Sequence, residues 1–101
     1  MNVCREIIRT SRFQKDLSKL SKKGVDVDKI EETVTLLSQH RISEVKDNHK
    51  LKGKQKDYWE CHVLGTILGN DLVVVYWYKD NDLVLELLRT GKHDEVLENV
   101  E

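Results

Sequence analysis

The stretch DLVVVYWY, residues 71–78, is apolar on both of its alternating faces. A strand of that kind is stable only when it is covered above and below, so it demands the centre of a sheet packed on two sides. Its neighbours in sequence can supply the sheet. In YWECHVL (58–64) the period is two, with Tyr58, Glu60 and His62 on one face and Trp59, Cys61 and Val63 on the other. LVLELLRT (83–90) follows after the turn residues KDND, and the three runs are close enough to form an antiparallel meander. The segment GTILGN between the first two is longer than a tight hairpin needs.

Before residue 57 the apolar spacing is different. VCREIIRT (3–10) is rich enough in β-branched residues for a first strand. Ser11 then stands as an N-cap ahead of Phe13, Leu17 and Leu20, and Gly24 suits the left-handed position after the helix. Asp26 can cap a second helix with Val27, Ile30, Val34 and Leu37 on one stripe and Asp28, Glu31 and Glu32 near its positive end. Residues 46–56 read as a solvated loop, and a short last helix can start after Gly91. The expectation is an α+β chain of order β-α-α-β-β-β with a short C-terminal helix. A two-helix hairpin would pack on one face of a mainly antiparallel four-stranded sheet, leaving the other face for function. At 101 residues, with no linker, repeat or proline, residues 1–101 are expected to form a single domain.

The formal net charge of −1 hides a segregation. Residues 1–56 hold 14 Lys and Arg against 8 Asp and Glu, while residues 57–101 hold 3 against 10. A field of that shape can attract a polyanion to one surface, or it can be two solvated faces that attract each other. No apolar run is long enough to span a bilayer, and MNVCREIIRT lacks the apolar core of a secretory signal, which places the chain in the cytoplasm. Cys4 and Cys61 lack CxxC spacing and are expected to be free thiols.

The basic half ends in KDNHKLKGKQKDYWECHV (46–63), where five lysines stand beside two histidines. Taken singly, each histidine has an ordinary reading: His40 at a helix end, His49 in a turn, His62 as a half-buried strand residue, His93 opening a helix. A metal site is disfavoured, because Cys61 and His62 point to opposite faces and no HxxxH or CxxC chelate exists. Metal-free RNA cleavage fits the inventory better. It needs a base for the 2′-OH, an acid for the departing 5′ oxygen and cations for the phosphorane, and imidazoles can fill both proton-transfer roles near neutral pH. Asp71 could orient a histidine or act as base, and Arg89 with the lysines at 50, 52, 54 and 56 could hold phosphates. Tyr58 is a candidate for base stacking, whereas Trp59 and Trp77 read as core by their alternation.

In order and spacing, KDNHKLKGKQKDYWECHV, NDLVVVYWY and LLRTGKHDEVL resemble the YafQ branch of the RelE-like bacterial toxins, and FQKDLSKL with the helix pair extends the resemblance over nearly the whole chain. The resemblance implies a RelE-like fold and the toxin of a type II toxin–antitoxin pair. Such toxins are endoribonucleases that cut mRNA, usually on the ribosome at the 30S decoding site; together with the residue inventory this makes metal-independent cleavage without a cofactor the expectation. The implied partner is a cognate antitoxin, in a toxin–antitoxin hetero-oligomer. By position, the catalytic residues implied are His49, His62, Asp71 and His93, with Arg89, Lys50, Lys52, Lys54, Tyr58 and Glu60 on the substrate side. Three departures stand out: about five extra residues between His62 and Asp71, Leu97 where an aromatic is usual, and Trp59 in place of a basic residue. Two other functions are compatible with the fold: inhibition of a protein target such as DNA gyrase, or an inactive antitoxin-binding co-repressor.

Overall fold

The computed structural model describes residues 3–51 and 57–97. In chain order these form β1 (Glu6–Arg9), α1 (Ser11–Lys22), α2 (Val27–Ser38), β2 (Lys46–Lys50), β3 (Trp59–His62), β4 (Leu72–Lys79), β5 (Val84–Lys92) and α3 (His93–Leu97). Short 3-10 turns lie at Ile42–Glu44 and Gly69–Asp71. The sheet order is β1-β5-β4-β3-β2, with β1 parallel to β5 and the remaining neighbours antiparallel. As the doubly apolar stretch requires, β4 is the middle strand, and Leu72 through Tyr76 are all buried.

Each side of β4 has its own core. On one side Leu72, Val74 and Tyr76 join Cys61, Val63, Leu85 and Leu87 beneath Phe13, Leu20, Ile30, Val34 and Leu37 of the two helices. On the other, Val73 and Val75 pack with Tyr58, Leu51 and Val96, flanked by Trp77, Leu88 and Leu97. The second face is therefore only partly open: α3 covers part of it, which the bare helix-pair arrangement did not anticipate. What lets α3 come so close is Gly91. With φ 152° it sits where L side chains rarely go, and a Cβ there would lie 2.9 Å from Val96 Cγ1.

Several local expectations hold. Asp26 caps α2 by accepting from the Asp28 amide at 3.1 Å, and Gly24 follows α1 with φ 84°. Others need correction. The N-cap of α1 is Thr10, not Ser11, because β1 already ends at Arg9; Thr10 Oγ1 accepts from the Phe13 amide and donates to the Leu87 carbonyl of β5. The sheet has five strands rather than four. The additional one is β2, so His49 stands on a strand rather than in a loop. KDNHK buries no face and shows no alternation, and its pairing with β3 is interrupted by an irregularity between Lys46 and His49, where Asp47 has φ 50°. An edge strand with no buried face, held by backbone pairing and polar side-chain contacts, leaves no periodic trace. Among the described residues no helix is long and apolar enough to cross a membrane.

Candidate active site

The β2–β3 register sets His49 directly opposite Glu60. Glu60 shares its face with His62, two residues along β3, and α3 begins at His93 immediately after the close approach at Gly91. Three segments thereby bring three imidazoles to one carboxylate. Glu60 Oε1 lies 2.7 Å from His49 Nε2, accepts from His93 Nε2 at 3.2 Å and lies 3.9 Å from His62 Nε2. The His62 and His93 rings are near-parallel, 25° apart with centroids 6.0 Å apart.

The carboxylate is wholly buried, while the histidine side chains open progressively toward solvent, 18% exposed for His62, 37% for His93 and 55% for His49. Glu60 Oε2 has no hydrogen-bond partner among the described residues. An orphaned buried acceptor works against stability and is retained where it serves something else. His62 is oriented from its far side by the lengthened connection, since its Nδ1 lies 2.6 Å from the Asn70 carbonyl. A carbonyl only accepts, so Nδ1 carries the proton and in the neutral ring Nε2 holds the lone pair, facing the cluster.

The other expected site residues are placed as follows. Asp71 closes the 3-10 turn one residue beyond that carbonyl, exposed at the start of β4. Lys50 pairs across the surface with Asp57 at 2.7 Å. Lys52 and Lys54 lie outside the described residues. Tyr58 is buried in the second core, edge-on to Trp77 with centroids 5.4 Å apart. Glu60 is the hub of the cluster rather than a surface group that could meet a substrate directly. Arg89 turns to α1: its Nε donates to Asp16 Oδ2 at 2.7 Å and its Nη2 to Oδ1 at 3.2 Å. Asp16 also accepts from the Thr90 amide at 3.0 Å, satisfying a backbone donor of β5 beyond its pairing with β1.

Sequence reading missed two of these residues. Asp16 left a signal, a carboxylate at i+3 from Phe13 and i−4 from Leu20 on the buried stripe of α1. The Asn70 carbonyl left none, because backbone groups carry no sequence signature. Both cysteines are free as expected, and burial, with Glu60 as the smaller cause, pushes the Cys61 thiol up to about 12.

The profile of the family described as the bacterial toxin of a type II toxin–antitoxin system, YafQ, matches residues 5–98. This chain belongs to the YafQ family of type II toxin–antitoxin toxins, and its fold is RelE-like. It is similar to a metal-bound toxin from Helicobacter pylori, at 34% identity over 93% of this chain and 98% of that one, with a TM-score of 0.74. A copper-bound mutant toxin from the same organism is also similar, at 34% identity over 90% and 97%, with a TM-score of 0.71. The Escherichia coli DinJ–YafQ toxin–antitoxin complex matches at 26% identity over 93% and 98%, with a TM-score of 0.73. No curated protein sequence matches the chain. Although two of these relatives hold metal, the described residues of this chain contain no group of three or more His, Cys, Asp or Glu arranged to hold an ion. At the cluster, the Nε2 atoms of His49 and His93 are instead turned to Glu60.

Proposed function

We propose that the Glu60 cluster is the centre of an endoribonuclease that cleaves mRNA on the ribosome, in the cytoplasm, by metal-independent acid–base catalysis. The observation that carries this reading is the convergence of His49, His62 and His93 on one buried carboxylate, beside Lys50. In the proposed reaction His62 Nε2 takes the proton of a 2′-OH, and the 2′ oxygen attacks the adjacent phosphorus. The P–O5′ bond breaks and protonated His93 supplies the proton to the leaving oxygen. The products are a 2′,3′-cyclic phosphate and a free 5′-OH.

Glu60 holds His93 and His49 in place, and Asp71 serves the same reaction from the rim, next to the carbonyl that orients His62. With Arg89 committed to Asp16, the phosphorane charge falls to His49 and Lys50. The Lys50–Asp57 pair is exposed, so it opens at little cost when a phosphate arrives. The extra residues between His62 and Asp71 support rather than obstruct this arrangement, since they touch His62 on its Nδ1 side while His49 and His93 stay open to solvent. The partner in this reading is a cognate antitoxin, as the DinJ–YafQ complex has, in a toxin–antitoxin hetero-oligomer.

Toeprinting of a translated message tests the proposal, with the wild type, His62→Ala and His93→Ala each assayed with and without a chelator. New ends within the reading frame, insensitive to chelation and lost in both variants, are expected. Equal cleavage by all three proteins would reject the residue assignment, and an intact message with wild type would reject the ribonuclease itself.

A further inference from the structure

Behind the histidine cluster, on the opposite face of the sheet, lies a cavity of about 240 Å³ lined by Trp59, Tyr76, Tyr78, Ile42, Asn48 and Asp82. We propose that it receives a single arginine side chain presented by a protein partner. This inference needs the partner that a toxin of this family has, but not the ribonuclease reading.

The walls are aromatic. Trp59 and Tyr76 are register partners across β3 and β4, and Tyr76 and Tyr78 stand 76° apart with centroids separated by 5.6 Å. Both phenols are already engaged: Tyr76 donates to Asn48 Oδ1, and Tyr78 donates to the Leu37 carbonyl at 2.6 Å. Tyr76 is almost wholly buried, so what the walls can offer a ligand is the ring surface of Tyr78 and Trp59, whose negative faces attract cations. Asp82 adds a carboxylate with no hydrogen bond or ion pair among the described residues. Its neighbours are occupied, since Arg5 pairs with Asp80 and Arg41 with Glu44.

The backbone that carries the carboxylate is also held in position. The Asp82 carbonyl lies 2.7 Å from His40 Nε2, and the His40 ring stacks on Tyr78 at 4.6 Å and 20°. Asp80, Asn81 and Asp82 all have positive φ, so the turn that carries this carboxylate has a specified shape.

Size and charge then select the occupant. The cavity is smaller than the roughly 300–1,000 Å³ of small-molecule sites, which suits one inserted side chain. An aliphatic residue would bury Asp82 without a partner, and a nucleotide would bring its phosphate against that carboxylate. A guanidinium avoids both penalties, because its plane stacks on rings while its N–H fork matches a carboxylate; lysine's compact ammonium does this less well.

The test uses the whole chain and Nα-acetyl-arginine amide as probe, followed by the Trp59 indole and Asn48 side-chain signals in ¹H–¹⁵N spectra. Saturable shifts at both are expected, with the neutral acetyl-citrulline amide about tenfold weaker. Asp82→Asn keeps a residue tolerant of the left-handed region and should abolish that preference. Equal response to the arginine and citrulline probes, no saturable response, or a stronger response to adenosine would each overturn the proposal. The last outcome would make the cavity a base pocket instead.

Discussion

The two faces of β3 differ by one residue of register and by almost everything else. Trp59, Cys61 and Val63 look toward the helices and belong to a core in which apolar side chains meet apolar side chains. On the other side, Glu60 and His62 bury a carboxylate with one oxygen unpartnered among the described residues, surrounded by imidazoles. The first face behaves as stability requires. The second gives up stability to hold titratable groups together, as the proposed reaction site would require.

Substitutions on each side should break this comparison in opposite ways. The largest effect is expected on the histidine face, in activity: His62→Ala should reduce message cleavage by about 10²–10⁴-fold, with the midpoint of urea unfolding essentially unchanged. Next, at the edge of the helix face, Asp16→Ala takes away the carboxylate that accepts from both Arg89 and the Thr90 amide. It should cost about 2–3 kcal/mol, measured by denaturant titration, because it removes a charged acceptor shared by a nearly buried guanidinium and a buried backbone amide. Glu60→Leu reverses the usual sign for a buried residue. It removes an orphaned acceptor while His49 and His93 can turn to water, so stability should hold or rise by about 1 kcal/mol as cleavage falls.

The effect that is smallest at neutral pH, where it vanishes, is a pH dependence on the helix face. The Cys61 thiol is raised from 9.0 to about 12, so the unfolded chain ionises first as pH increases. Its contribution is therefore complete below pH 9.0 and is lost progressively toward pH 12, at no more than about 1.4 kcal/mol per unit. Stability curves for wild type and Cys61→Ala should diverge in slope only above pH 9.0. A Cys61 contribution that grew with alkalinity would contradict the burial.

The same contrast governs how much could be read from residues alone. Wherever a side chain's periodicity reports burial, the reading held: β4 at the centre, the parity of Tyr58, Glu60 and His62, the stripes of α1 and α2, the cap at Asp26. It failed where backbone groups decide. β2 is an edge strand with no buried face, and the orienting partner of His62 is a main-chain carbonyl. Arg89 was the instructive case, because an arginine near histidines suggests a phosphate, whereas here a carboxylate on the buried stripe of α1 takes it. Glu60 was visible as a charged neighbour of the histidines, but only the β2–β3 register and the Gly91–Val96 approach make it their meeting point.

The most direct measurement of that meeting point is the long-range ¹H–¹⁵N spectrum of the histidine rings in wild type and Glu60→Gln. Perturbation of His49, His62 and His93 together is predicted, with His62 protonated on Nδ1 in the neutral ring and His40, held by Asp82 and Tyr78 elsewhere, unmoved. A response confined to one ring, or an Nε2-protonated neutral His62, would contradict the convergence on which the account depends.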